Sequence, residues 1–452
     1  MSFAKPMVLP AMQRSTRKLP APFRRFGCKC LAPMLLAFCM IPASIDCQRA
    51  TDHVVPSSAG LSVSNPRGNA VMLNGKGLNF SNPSGSTQLR IHGYLQADGR
   101  LFAANLFGQE HNVLLFRRIR PLVEGTLGNN VTFRFMPDFG EGRPVIQEAY
   151  ADLGTGPNGH VQVGKFKTPI GLEVLRSDRD LTFSERSLAS DLIPIRDLGA
   201  QLEGSFLQNT VTCELGYFSG APDGANANFE WRGGGEGVAR CFVQPLAAVS
   251  SAPGRELGIG IAFSEGHKQN VLPTFYTIGQ EAFLQYSPDA FADGMRRHIS
   301  PHGYFFSGPF GLLAEYAISG QELTAGTAHR YLANHAWEVS TSMVLTGEKN
   351  TYEGIQPARS LDLSTGLRHW GALEIAFRHS SLDADPNTFP NFASPAAAAE
   401  KARESAVGVN WYINRHTKLV TDYEHTTFLM HAGGTIPLHT ENVAMTRIQF
   451  TL

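Results

Sequence analysis

The chain has 452 residues, room for two or three ordinary domains or one large β-barrel. Hydrophobic residues make up 42% and charged residues 17%, which excludes a mostly disordered chain. The 39 Lys+Arg are matched by 39 Asp+Glu, so any handling of anions must come from local placement rather than net charge.

The first 47 residues read as a removable signal peptide. A basic region (Arg14, Arg17, Lys18, Arg24, Arg25, Lys29) precedes the apolar run "LAPMLLAFCMIPASI" at 31–45. That run suits a signal-peptide core better than a membrane anchor, being short and interrupted by proline. Removing 1–47 takes away seven Lys/Arg and one acid, leaving 32 basic and 38 acidic residues, so a nucleic-acid partner is disfavoured. Cys28, Cys30, Cys39 and Cys47 lie in or at the edge of the leader. The remaining Cys213 and Cys241 make neither a disulfide framework nor a zinc pattern.

Residues 48–87 are rich in Ser, Gly, Asn and Pro and read as a linker with little structure. From Leu89 onward, strand-length stretches alternate apolar and polar residues. In "VGVNWYIN", Val407, Val409, Trp411 and Ile413 share one face, opposite Asn410 and Tyr412. In "LVTDYEH", Asp422 and Glu424 oppose Leu419 and Tyr423. The stretch 361–378 reads as a hairpin, with Leu361, Leu363, Thr365 and Leu367 facing one way before a turn and Leu373, Ile375 and Phe377 after it. In the last strand, Ile448, Phe450 and Leu452 alternate with Arg447 and Gln449.

This pattern fits a soluble sandwich or a transmembrane barrel. Charges in mid-strand, aromatics near strand ends and alternating short and long connections favour the barrel. A hairpin centred near 227 sets Cys213 opposite Cys241 on the lipid side, either bonded or as free thiols.

Two motif matches are decoys. "GTGPNG" at 154–159 contains Pro157 and is followed by a strand, not by the helix a dinucleotide site needs. "GHVQVGKF" at 159–166 has Phe166 where a P-loop needs Ser or Thr. The fifteen histidines show no metal-ligand spacing, and no metal or other cofactor is expected. No GxSxG or HExxH occurs, which by itself does not exclude an enzyme. A barrel hydrolase building Ser and His on adjacent strands remains an alternative.

Several ordered stretches between 89 and 204 carry a family resemblance. They are "LRIHGYLQADGR", "FRRIRPLVEGTLGNNVTFRFMPDFGEG", "IQEAYADL", "VQVGKFKTPIGLE" and "LTFSERSLASDLIPIRDLGAQLEG". Together they resemble the phosphate-selective porin O and P family. The resemblance implies an all-β, sixteen-stranded antiparallel barrel, usually trimeric, in the outer membrane of a Gram-negative bacterium. It also implies lumen arginines and constriction lysines on an inward-folded loop, passing phosphate-like anions.

On this reading Lys165 and Lys167 end a strand at the mouth of segment 168–200, which carries Arg176, Arg179, Arg186 and Arg196. The segment is expected to fold into the pore, with "TFSERSLAS" making a helical turn capped by Thr182 or Ser184. Arg118 and Arg120 share the more polar face of their strand and belong to the lumen wall. Arg134, Arg368, Arg378 and Arg447 join them, and Arg117 is expected near an interface. Guanidinium forks suit phosphate oxygens. Eleven basic residues between Arg117 and Asp197 are balanced by eleven acids, so structural ion pairing competes with anion binding as their role. The reading is a passive channel for small anions. The alternative of the same fold is a general, weakly selective porin.

Overall fold

The computed structural model describes residues 61–64, 70–74, 77–104, 112–128, 130–156, 158–226, 234–246, 255–364, 369–395, 397–431 and 439–452. The signal peptide assigned to 1–47 lies outside the described residues, as does Arg368.

Sixteen antiparallel strands follow one another around a closed sheet. They are β1 (Gln88–Ala104), β2 (Val113–Leu127), β3 (Val131–Asp138), β4 (Val145–Gly156), β5 (Gly159–Lys167), β6 (Arg196–Phe206), β7 (Val211–Phe218) and β8 (Glu236–Val243). Then come β9 (Arg255–Asn270), β10 (Ala290–Ser307), β11 (Phe310–Ala325), β12 (Ala328–Val344), β13 (Ala372–Asp383), β14 (Ala399–Asn414), β15 (Thr417–Met430) and β16 (His439–Thr451). Closure comes from β16 on β1, with Thr451 opposite Tyr94 and Asn442 opposite Ala104. A closed sheet has no edge to leave unpaired in lipid.

The period-2 pattern decides which face is which. Val407, Val409, Tyr423, Ile375, Phe377, Ile448 and Phe450 are exposed on the outside. Asn410, Asp422, Glu424, Glu374, Arg378 and Arg447 are buried inside. Apolar outside and charged inside is the arrangement of a barrel in lipid. Cys213 lies opposite Cys241, as the hairpin register requires, and the two are disulfide-bonded.

The two ends of the barrel differ. Tight turns at 128–130, 157–158, 207–210, 308–309 and 415–416 mark one end. Long connections at 168–195, 219–235, 271–289 and 384–398 mark the other. Segment 345–371 breaks this rule by being a long connection at the turn end.

Three sequence expectations are corrected here. Within the expected linker, Leu61–Ser64, Ala70–Asn74 and Gly77–Ser81 form three short strands, the last pairing with the start of β1. Of the 361–378 hairpin the described residues keep one antiparallel bridge, Asp362 with His369, because β13 pairs with β12 and β14. Asp362 also accepts hydrogen bonds from the Ser364 amide (2.8 Å) and hydroxyl (2.6 Å), a local turn that competes with strand pairing. Finally, the register slips at Gln96–Ala97, which face Arg118 and Phe116 and leave Arg117 as the extra residue of a β-bulge. Phe116 therefore turns outward, and Arg117 points to Glu185 and Glu141 rather than to an interface.

Candidate functional site

Segment 168–195 is fastened to the inner face from several strands. On one side the wall supplies acceptors for its amides. Glu315 of β11 accepts from the Leu172 (2.8 Å) and Glu173 (3.1 Å) amides, and Asp422 of β15 from Ser184 (2.7 Å). The same wall donates to its carbonyls. Arg378 reaches Glu185 O (2.9 Å), Asn410 reaches Thr182 O (2.7 Å) and Lys418 reaches Leu181 O (2.7 Å). These bonds pair three amides and three carbonyls of the segment with the wall.

The other side of the segment presents two carboxylates, Asp178 and Glu185, to the arginines of β2, β6 and β16. Arg117 Nε (2.7 Å), Arg118 Nη2 (3.2 Å) and Arg447 Nη2 (2.6 Å) all donate to Glu185. The bulge is what lets two consecutive arginines reach one acid. Asp178 accepts from Arg120, from Arg186 (2.5 Å) and from Arg196 (3.5 Å), with Arg118 at 3.7 Å. Burial pushes both carboxyls up, but the surrounding guanidiniums outweigh it and hold them well below the usual carboxylate range.

Within the segment, the Glu173 carboxylate accepts from the Ser187 amide (2.8 Å), the Ser187 hydroxyl (2.8 Å) and the Ser190 hydroxyl (3.1 Å). The expected helical turn is a 3-10 turn at Leu188–Leu192 preceded by Ser187, not one capped by Thr182 or Ser184. Glu173 from a neighbouring turn does the capping, which a local motif cannot reveal.

Segment 345–371 reaches the same place from the turn end. The Tyr352 hydroxyl donates to Leu172 O (2.6 Å), and its ring stacks on Tyr304 with centroids 5.0 Å apart. The Arg176 guanidinium lies 5.9 Å from that ring.

Three cavities follow one another beside β1–β6. A turn-end cavity of about 390 Å³ is lined by Met72, Phe80, Arg90, Glu124, Arg134 and Tyr150 among others. A middle cavity of about 200 Å³ is lined by Tyr94, Arg134, Glu148, Lys167, Asp178 and Arg196 among others. A loop-end cavity of about 360 Å³ is lined by Arg117, Arg118, Arg120, Arg143, Asp178, Arg186 and Arg196 among others. Arg134 borders the first two; Asp178 and Arg196 border the last two.

The sequence-derived site residues divide accordingly. Arg118, Arg120, Arg134, Lys167, Arg179, Arg186 and Arg196 line these cavities. Lys167 donates to Leu175 O (3.2 Å) and Arg176 O (2.7 Å), so it also holds the segment's first turn. Lys165 is buried beside Arg196 and Asp197 and lines none of the three. Arg176 bonds to Thr182 (3.0 Å) and Arg179 pairs with Asp180 (3.2 Å). Arg378, paired with Glu404 (3.1 Å), and Arg447, paired with Asp98 (2.7 Å), are buried anchors that hold Glu185 and line none of the three cavities. Sequence reasoning missed Asp178 and Glu185 as hubs, Arg117 as an interior residue and Tyr352. Among the described residues no group of His, Cys, Asp and Glu is placed to hold a metal ion.

One further row has the order of a hydrolase triad. Ser264 Oγ lies 2.7 Å from His298 Nδ1, and His298 Nε2 lies 2.8 Å from Asp223. Ser264 is 0% exposed and gives its hydroxyl proton to Glu236 (2.5 Å). The row ties the connection at 219–226 to the wall.

A closed barrel, apolar outside and lined with charge, defines an outer-membrane channel of the porin class. The chain belongs to the phosphate-selective porin O and P family, whose model matches residues 89–452. It is 22% identical over 383 residues to Porin O of Pseudomonas aeruginosa, covering 77% of this chain and 84% of that one. In fold it is similar to the outer-membrane channel DcaP of Acinetobacter baumannii, at a TM-score of 0.55 and 10% identity over 82% of this chain and 99% of that one. It is also similar to an anion-selective porin from Comamonas acidovorans, at a TM-score of 0.50 and 11% identity over 81% of this chain and all of that one.

Proposed function

We propose that the chain is a passive channel for small oxyanions of the phosphate type, working as a homotrimer in the outer membrane. The observation that carries this reading is the succession of three cavities along the β1–β6 wall, the first two sharing Arg134 and the last two Asp178 and Arg196 as lining residues. An anion passing along it exchanges hydration water for guanidinium donors at each junction. Segment 168–195 narrows the route where Asp178 meets Arg196. Family membership and the names of its relatives support anions as the permeant.

The second reading is a general porin of the same fold. It is favoured by one observation: the arginines at the junction are already paired with acids, Arg120 with Asp138 (2.6 Å) and Arg196 with Glu148 (3.2 Å). The reversal potential of the purified protein in a planar bilayer under a KCl gradient separates the two. The proposed function predicts anion selectivity and a current reduced by added phosphate. A weakly selective current indifferent to phosphate would favour the general porin, and cation selectivity would overturn both the anion reading and its site.

A further inference from the structure

Among the residues shared by the middle and loop-end cavities, a buried carboxylate sits amid guanidiniums. Four guanidiniums converge there: Arg118 and Arg120 from β2, Arg186 from segment 168–195, and Arg196 at the start of β6. All face one carboxylate, Asp178. Arg118, Arg120, Asp178 and Arg196 are each at least nine-tenths buried. Three of the four arginines also face a second acid, Glu185 for Arg118, Asp138 for Arg120 and Glu148 for Arg196, though Glu185 is shared with Arg117 and Arg447 and Glu148 with Arg134. Among the described residues Arg186 otherwise donates to the Glu173 (3.2 Å) and Arg176 (3.1 Å) carbonyls. Asp178 is therefore the one acid shared by all four, and removing it leaves the cluster one unit more positive.

The way Asp178 is held shows what could replace it. Its Oδ1 accepts from Arg186 and faces Arg118, and its Oδ2 accepts from Arg120 and faces Arg196 and the Tyr94 hydroxyl (3.5 Å). Two oxygens on one centre, each met by two guanidiniums, is the geometry these groups offer to a carboxylate or phosphate. A single-atom anion such as chloride cannot fill it. Asp178 sits on a loop turn, with the Asp180 amide bonded to Ser177 O (2.9 Å), rather than on a barrel strand. Arg118 Nε, buried beside it, has no hydrogen-bond partner among the described residues.

We infer that Asp178 is a tethered occupant of the channel's oxyanion site, an internal competitor that a permeating phosphate or carboxylate must displace where the middle and loop-end cavities share Asp178 and Arg196. The inference rests on the anion-channel reading above. It assigns the moderation of binding to one residue. A tethered ligand competes at a fixed, high local concentration, so the free anion binds more weakly than four guanidiniums alone would allow, and it leaves.

The test is the KCl current of native and Asp178→Asn protein in planar bilayers, titrated with inorganic phosphate. The phosphate concentration that halves the current is expected to fall by about tenfold or more in the variant. In Asp178→Ala, formate should block as well, because it restores the missing carboxylate, while the native channel ignores it. Folded variants with native phosphate dependence and no formate block overturn the inference and leave the anion channel standing. A native channel that is not anion-selective removes both. Should the variants fail to assemble, refolding Asp178→Ala with formate present decides the matter. Restored assembly shows that a free oxyanion can take the site, and no restoration overturns the inference.

Discussion

The two walls of the barrel interior differ in what they do with charge. Along β11–β16 the buried acids are Glu315, Glu338, Glu374, Glu404, Asp422, Glu424 and Glu441, against Arg378, Lys418 and Arg447. Along β1–β6 the buried cations Arg100, Arg118, Arg120, Lys165 and Arg196 face Asp98, Asp138, Glu148 and Asp197. The acidic wall is closed against segment 168–195, and acids such as Glu315 and Asp422 receive its amides. The basic wall borders open space. On the proposed route, segment 168–195 separates an anchoring half from a conducting half. Acids that would repel a permeating anion are kept behind a backbone layer, and guanidiniums are left beside the route.

The comparison can be broken from the anchoring side first. Arg378 faces Glu404, Glu424 (3.5 Å) and Glu173 (3.7 Å). Arg378→Ala leaves buried carboxylates without their cation and is expected to cost about 3–5 kcal/mol. Heat-dependent migration on gels should show unfolding at a clearly lower temperature. A smaller loss is expected from Glu315→Ala, which strands the Leu172 and Glu173 amides at a cost of about 1–3 kcal/mol. Faster hydrogen exchange at those two amides would locate the damage.

From the turn end, Tyr352→Phe removes only the bond to Leu172 O, about 0.5–1.5 kcal/mol. Its readout is open-channel noise, which should rise while mean selectivity stays native. A separate readout is a pH slope at Asp191, where segment 168–195 meets 271–289. Its carboxylate accepts from the Tyr276 amide (2.9 Å), and burial, aided by Asp223, pushes the carboxyl up to about 8. The folded protein then holds this proton more tightly than the unfolded chain does. Stability should fall as pH rises between about 4 and about 8, and be flat on either side. Asp191→Asn should remove that slope from a plot of melting temperature against pH.

Much of the barrel was legible because alternation reports a face directly. Glu374, Arg378, Asp422, Glu424 and Arg447 went inside, and the centre of the Cys213–Cys241 hairpin followed from matching two strands. The site was legible only in part. Arg117 was misplaced because one bulge residue reverses the parity that the reading relied on. Asp178 looked like one acid among eleven because its role depends on Arg120, 58 positions away, and no local pattern carries such a contact. The inward course of 345–371 was hidden for a related reason. Leu361, Leu363, Thr365 and Leu367 alternate as a strand does, and Asp362 supplies a turn that the alternation cannot show.

The central claim is that ions move along the basic wall and not along the acidic one. Reversal potentials of Arg134→Gln and Glu338→Gln under the same KCl gradient test it most directly. Arg134 borders two of the three cavities, and Glu338 is buried on the far wall with both carboxylate oxygens lacking a hydrogen-bond partner among the described residues. The account predicts that Arg134→Gln weakens anion selectivity and that Glu338→Gln leaves it at the native value. A shift in Glu338→Gln as large as that in Arg134→Gln would place the conducting route across the whole lumen and contradict the division.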